Sequence, residues 1–238
     1  MMLTLQDLLR TRTAQPQLNK AMYFNGVNAY INVASSSSLA LSSQFTLVGW
    51  FLFPPGISGA KGVVQKNQQV GDYDYMLYLS LAGYPSVYFK NPAGTAFYVM
   101  YTVDHRDNSW HYWTGTFDGR YLKMYTDATL RVTTDTGGTT VRTSSTPLTI
   151  GYGWNYYVKM FSSQVLIYSR ALSSSEIIHN MLNPNNPIRD GLVLWLDARA
   201  CDTSKNICYD LSGNGNHGTM YNVQIVTLSN PVRVGGRL

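Results

Sequence analysis

Glutamate is almost missing from this chain: Glu176 is the only one in 238 residues, and charged side chains of all kinds make up 13%. That share is about half the usual one. The shortage weighs against hydrolysis of glycosidic bonds, which needs two facing carboxylates, one as acid and one as nucleophile or base. Asp104 and Asp107 are the substitute pair on offer, but they lie in Asp104-His-Arg-Asp-Asn-Ser109, which reads as a turn. Histidine is scarce too. His105, His111, His179 and His217 are the four present, and none belongs to a Gly-x-Ser-x-Gly elbow or a His-Glu-x-x-His helix. The expectation is a protein that is not an enzyme.

Cys201 and Cys208 are the two cysteines. A structural zinc site takes four ligands, and no second Cys pair or nearby His pair completes one. They read either as two thiols or as a local disulfide closing a small loop, the second favoured outside a cell. The net charge is +5, yet no run of Lys or Arg marks a nucleic-acid partner. No apolar run approaches the ~20 residues needed to span a bilayer. Met1 to Lys20 lacks the basic and apolar regions of a secretory signal. The expected location is therefore a virion or extracellular surface, reached after release of an assembled particle.

What the chain does have is tyrosine, 18 of them, within a 45% hydrophobic composition. Such a surface relies on Tyr, Ser, Thr, Asn and Gln, which suits sheets, stacking platforms and subunit contacts. Thr4-Leu-Gln-Asp7 predicts a capped short helix to about Arg12, followed by a linker. From Ala21 the texture is β. Met22-Tyr-Phe24 and Tyr30-Ile-Asn-Val33 flank Asn25-Gly26, the strongest hairpin signal in the sequence. Phe45 to Phe53 reads as a central strand buried on both faces. Further short strands follow at 62–66, 73–81, 86–90, 96–101, 110–117, 121–125, 130–132, 148–150 and 164–168. Ser173 and Glu176 predict a second capped helix to about Asn180. Many short strands punctuated by Gly and Pro argue for two packed antiparallel sheets.

Four phrases, in this order, resemble the laminin-G-like family of concanavalin A-type jelly rolls. They are Ala21-Met-Tyr-Phe-Asn-Gly-Val-Asn-Ala-Tyr-Ile31, Phe45-Thr-Leu-Val-Gly-Trp50, Trp110-His-Tyr-Trp-Thr-Gly-Thr-Phe-Asp-Gly119 and Arg170-Ala-Leu-Ser-Ser-Ser-Glu-Ile177. The resemblance implies an all-β, two-sheet antiparallel jelly-roll sandwich with a short terminal helix and a C-terminal extension. Residues 1–19 then form a helix and linker, 20–182 the jelly roll, and 183–238 the extension. Departures are Asn25 where the family often has Asp, and Asp127-Ala128 where it often has Asp-Gly. Family members often hold calcium. Here Asp72 and Asp74 are the one tight acidic pair for such a site, the alternative being a solvated loop start. No other cofactor is expected.

The C-terminal phrase Gly191-Leu-Val-Leu-Trp-Leu-Asp197, with Tyr209-Asp-Leu-Ser-Gly-Asn-Gly-Asn-His-Gly218, resembles what usually opens this family's domain. Leu192-Val-Leu-Trp-Leu196 is apolar throughout and needs a partner sheet. It either closes the sandwich of its own subunit, as in a circular permutant, or is donated to a neighbour. The fold hosts lectins, enzymes, adhesion modules and scaffolds, so it leaves function open. The first expectation is a non-enzymatic structural or decorating protein of a large assembly, most plausibly a virus particle, contacting copies of itself or other structural proteins. The alternative is a carbohydrate-binding module with glycans as partners. Trp154, Asn155, Tyr156 and Tyr157 form the expected ligand-binding or interface loop, because aromatic rings flanked by Asn are what sugar recognition needs.

Overall fold

The computed structural model describes residues 18–66 and 73–236. The expected N-terminal helix and Asp72 lie outside them. The chain is all-β apart from one short helix and a single 3-10 turn among these residues. The first strands are β1 (Lys20–Asn25), β2 (Tyr30–Val33), β3 (Phe45–Leu52), β4 (Lys61–Lys66), β5 (Tyr75–Leu79), β6 (Pro85–Lys90) and β7 (Ala96–Met100). Next come β8 (Trp110–Phe117), β9 (Tyr121–Thr126), β10 (Thr129–Asp135), β11 (Leu148–Ile150), β12 (Tyr152–Gly153), β13 (Tyr156–Tyr157) and β14 (Lys159–Tyr168). Helix α1 (Ser174–Leu182) is followed by β15 (Leu192–Asp202), β16 (Ile207–Asp210), β17 (Gly218–Tyr221) and β18 (Gln224–Thr227).

One layer runs β10-β9-β8-β3-β14 and the other β17-β2-β11-β4-β5-β6-β7, all antiparallel. The ladder passes between them through β15, whose first half pairs with β14 and whose last residues pair with β16. Strand β3 shows why the layers pack. Phe45, Leu47 and Phe51 point into the shared core, while Val48, Trp50 and Leu52 point to the outer face under α1. The period-two alternation of a strand makes both faces apolar, so both need covering. Across the core, Phe89 of the second layer meets Phe45 and Phe117 at 6.1 and 4.4 Å between ring centroids. On the outer face α1 contributes Ile177, Met181 and Leu182. Its start is the expected capping box, with Ser173 accepting from the Glu176 N–H and the Glu176 carboxylate accepting from the Ser173 N–H.

One local expectation fails. Asn25-Gly26 does not turn a hairpin, because β1 and β2 are not paired: β1 lies between β14 and β18, and β2 between β11 and β17. The Asn25 side-chain oxygen instead accepts from the N–H groups of Val27, Asn28 and Ala29. That fan of bonds shapes a loop crossing from one layer to the other. The glycine-free Asp127-Ala128, by contrast, does turn the β9–β10 hairpin, with φ of +54° and +59°.

The sheets continue beyond Leu182. Strands β15, β17 and β18 pair with β14, β2 and β1 of the same chain. Cys201 and Cys208 face each other across β15 and β16 and are joined as a disulfide. The two ends of the described chain meet: the Val232 N–H donates to the Leu18 carbonyl and the Leu228 N–H to the Asn19 carbonyl.

Candidate functional site

The Gly151 to Tyr157 segment folds as a miniature hairpin, with Tyr152 opposite Tyr157 and Gly153 opposite Tyr156. Trp154 and Asn155 form its two-residue turn at φ +53° and +64°. A turn with both central residues in the left-handed region matches strand twist, but for a bulky Trp that backbone is strained. Packing holds it there. The Trp154 ring lies 4.9 Å from Tyr78 and 5.9 Å from Tyr73, on the outer face of the second layer. The hairpin approaches β4 so closely that a Cβ on Gly153 would stand 3.0 Å from the Gly62 Cα. Hydrogen bonds from Gly151 N–H to the Val63 carbonyl and from the Thr149 hydroxyl to the Tyr152 carbonyl fix its base.

With Trp154 as anchor, the other rings of the hairpin gather at the end of the sandwich. Tyr152 and Tyr157 are 4.7 Å apart. Tyr30 packs on both, and on its other side stacks with Tyr221 at 4.6 Å and 6° between planes. Tyr30 and Tyr221 meet because they are opposite each other in the β2–β17 ladder. Burial, then the neighbouring phenols Tyr221, Tyr157 and Tyr152, push the Tyr30 hydroxyl above its ordinary pKa. Tyr30 therefore stays neutral and keeps its O–H donor. Tyr156 is 55% and Tyr221 43% exposed. The Lys61 ammonium sits 4.5 Å from the Tyr156 ring centroid. Beside them opens a cleft of about 230 Å³ lined in part by Asn25, Gly26, Ser58, Lys61, Tyr157 and Lys159. This arrangement offers flat apolar rings, phenol and hydroxyl hydrogen-bonding groups and two ammonium groups around one opening.

The structure thus divides the four expected loop residues. Tyr156 and exposed Asn155, whose side-chain oxygen accepts from the Tyr152 hydroxyl at 3.1 Å, face outward. Tyr157 is half-buried in the tyrosine cluster. Trp154 acts as the wedge beneath the turn. Tyr30, Tyr152, Tyr221 and Lys61 join the site without having been singled out from the sequence. The alternation in Thr219-Met-Tyr221, with Met220 buried and its neighbours exposed, is the signal that turns Tyr221 outward.

Other candidates are engaged elsewhere. Asp74 is not the solvated loop start expected: it is buried, accepts from the Ser144 hydroxyl at 2.6 Å and pairs with Arg142 at 3.3 Å. Nearby, the buried Lys66 ammonium donates to the Ser35 hydroxyl and to the Ser144 and Thr146 carbonyls. The charge facing Asp74 is thus supplied by side chains of this chain. Asp104 is bidentate with Arg106, and Asp107 lies 3.3 Å from His111, whose other ring nitrogen meets Asp127 at 3.2 Å. Glu176 is held by Arg170, first, and by Ser173, which bring its pKa down to about 2. A second cleft of about 340 Å³ lies beside Trp195, Asp197 and Arg199. There Arg189 covers the Trp195 ring at 4.6 Å, and Asp197 and Arg199 are paired with each other.

Residues 25–178, more than half of the chain, match the family model for the laminin-G-like branch of the concanavalin A-like lectin/glucanases superfamily, and the chain belongs to that family. Among solved structures, the fold is similar to a candidate carbohydrate-binding protein from Bacteroides ovatus, with a TM-score of 0.72 and 19% identity. That match covers 91% of this chain and 62% of the other. It is also similar to the binding domain of paraclostridial mosquitocidal protein 1, with a TM-score of 0.55 and 18% identity over 66% of this chain and 42% of that one. The botulinum neurotoxin serotype D binding domain gives a TM-score of 0.53 and 13% identity, over 68% and 41% of the two chains. The chain thus spans less than two thirds of each of these structures. Compared by sequence with curated proteins, it matches none.

Proposed function

We propose that this protein is a non-catalytic carbohydrate-binding module and that the tyrosine-rich end of the sandwich is its recognition surface. The observation that carries the reading is the exposed Tyr156 ring. It is carried on a hairpin wedged by Trp154, beside a cleft bordered by hydroxyls and ammonium groups. Sugar recognition combines an apolar ring face with a few polar groups that fix orientation. Preorganised rings also lose little conformational freedom on binding. Support comes as well from the lectin-containing family and from fold relatives described as a carbohydrate-binding protein and as the binding domains of toxins. The engaged states of Glu176, Asp104 and Asp107 favour binding over hydrolysis. The particle role, with copies of itself as partners on a virion surface, rests on sequence features: low charge, Tyr-rich composition, the terminal segments and the character of the N-terminal stretch.

A glycan array probed with the whole chain and with Tyr156→Ala tests the proposal. Retention of one class of glycans by the native protein and its loss in the variant is the expected result. An array with no bound glycan overturns the reading.

A further inference from the structure

We infer that the saccharide taken at this end carries a negative charge, a carboxylate or sulfate group held by Lys61 and Lys159 while its ring lies on Tyr156. The inference rests on the carbohydrate-binding reading and specifies its ligand class. Several cations elsewhere in the molecule have acidic partners: Arg106 with Asp104, Arg120 with Asp135, Lys123 with Asp118, Arg170 with Glu176, and Lys205 with Asp202. Lys61 and Lys159 are placed together around one opening. Both line the cleft, no carboxylate lines it with them, and neither has an acidic partner among the described residues.

Their positions are built by the fold rather than left to flexible loops. Lys61 begins β4 and Lys159 begins β14, where it lies opposite Asn25 in the β1 ladder. Gly26 closes against Lys159: a Cβ there would stand 2.8 Å from the Lys159 Cβ, so the loop has room only for glycine. Lys61 is half-buried, and that partial loss of water lowers its pKa with no opposing charge to compensate. The Asn25 side-chain oxygen is already engaged by three backbone N–H groups, and its amide donates to Asn28. Beside the neutral hydroxyls of Ser58 and Tyr157, the charged groups lining the cleft are both cationic, and the partner they suit is an anion. A charge-assisted pair of this kind is stronger than a neutral hydrogen bond, and Tyr156 adds the stacking face that a bare anion would not use.

The test compares one oligosaccharide backbone in three forms: neutral, carboxylated and sulfated. Affinity is measured for the full chain and for Lys61→Gln, Lys159→Gln, Lys61→Arg and Lys205→Gln, with thermal melts to show that each variant is folded. The expected result is roughly tenfold tighter binding of an acidic form than of the neutral one, weakening as salt is raised. Lys61→Gln or Lys159→Gln should remove that advantage, and Lys61→Arg and Lys205→Gln should keep it. The carboxylated and sulfated arms identify which group is held. Equal binding of neutral and acidic forms, indifferent to both lysines, overturns this inference and leaves the carbohydrate reading standing. Binding of none of the forms on any backbone overturns both.

Discussion

The two outer surfaces of this sandwich use aromatic residues in opposite ways. Under α1, Trp50, Tyr112, Tyr168 and Trp195 are buried with leucines and the two ends of the described chain. On the other layer, Tyr78, Tyr88 and Tyr98 form a ladder of rings that no helix among the described residues covers, ending in Tyr98 at 53% exposure. At its margin the Trp154 hairpin lifts Tyr156 into solvent. Trp and Leu need a lid because their surface is almost wholly apolar, whereas the hydroxyl of a half-buried Tyr can remain wet. Burial still acts on the open ladder, raising the pKa of Tyr78 to about 12. One face therefore stabilises the fold, and the other leaves rings exposed.

The largest expected effect lies on the covered side. Trp50→Ala should cost about 3–5 kcal/mol in urea unfolding, while the folded fraction keeps its glycan affinity. A variant that loses binding without losing stability would erase the distinction between the faces. Replacing both Cys201 and Cys208 by Ser should cost roughly 2–3 kcal/mol, the loop entropy of so short a closure, and again leave affinity intact. At the open end the pattern should invert. Tyr156→Ala should change stability by no more than ~0.5 kcal/mol and weaken glycan binding about tenfold, near 1.4 kcal/mol.

The smallest effect separates two histidines whose ring centroids are 3.9 Å apart. Burial, reinforced by His111, lowers the His105 pKa to about 4, and its Nδ1 accepts from the Trp113 indole N–H. For His111 burial also works downward, but hydrogen bonding and charge from Asp127 and Asp107 prevail and raise its value. Between about pH 6.5 and 4 the unfolded chain binds the His105 proton more readily than the folded one does. His105 therefore costs stability as pH falls through that window. His111 works the other way: its contribution is present below its unfolded value and fades as pH rises through the folded one. An NMR titration should find His105 protonating near pH 4 and His111 above 6.5; equal midpoints would contradict the assignment.

Much of this fold was legible in the sequence. The unbroken apolar run of β3, the Trp110 strand and the Ser173–Glu176 cap each follow from local patterning that tertiary structure reinforces. Asn25-Gly26 misled because its turn chemistry is real, but the strands on either side are claimed by different layers. Asp74 misled because Arg142 and Ser144, which enclose it, arrive from a loop far along the chain. The hairpin at Trp154 was visible as an aromatic cluster, yet its division into wedge and exposed ring depends on Tyr73 and Tyr78. The meeting of Tyr30 with Tyr221 depends on β17 returning to β2, a long-range pairing that no local pattern encodes.

The most direct measurement is the mapping of tyrosine and tryptophan ring NMR signals while the best glycan from the array is titrated into the whole protein. The account predicts shifts concentrated at Tyr156, Tyr157, Tyr30 and Tyr221, with Trp50 and Trp195 unmoved. Shifts centred on Trp195 or on the Tyr88–Tyr98 ladder, with Tyr156 silent, would contradict it.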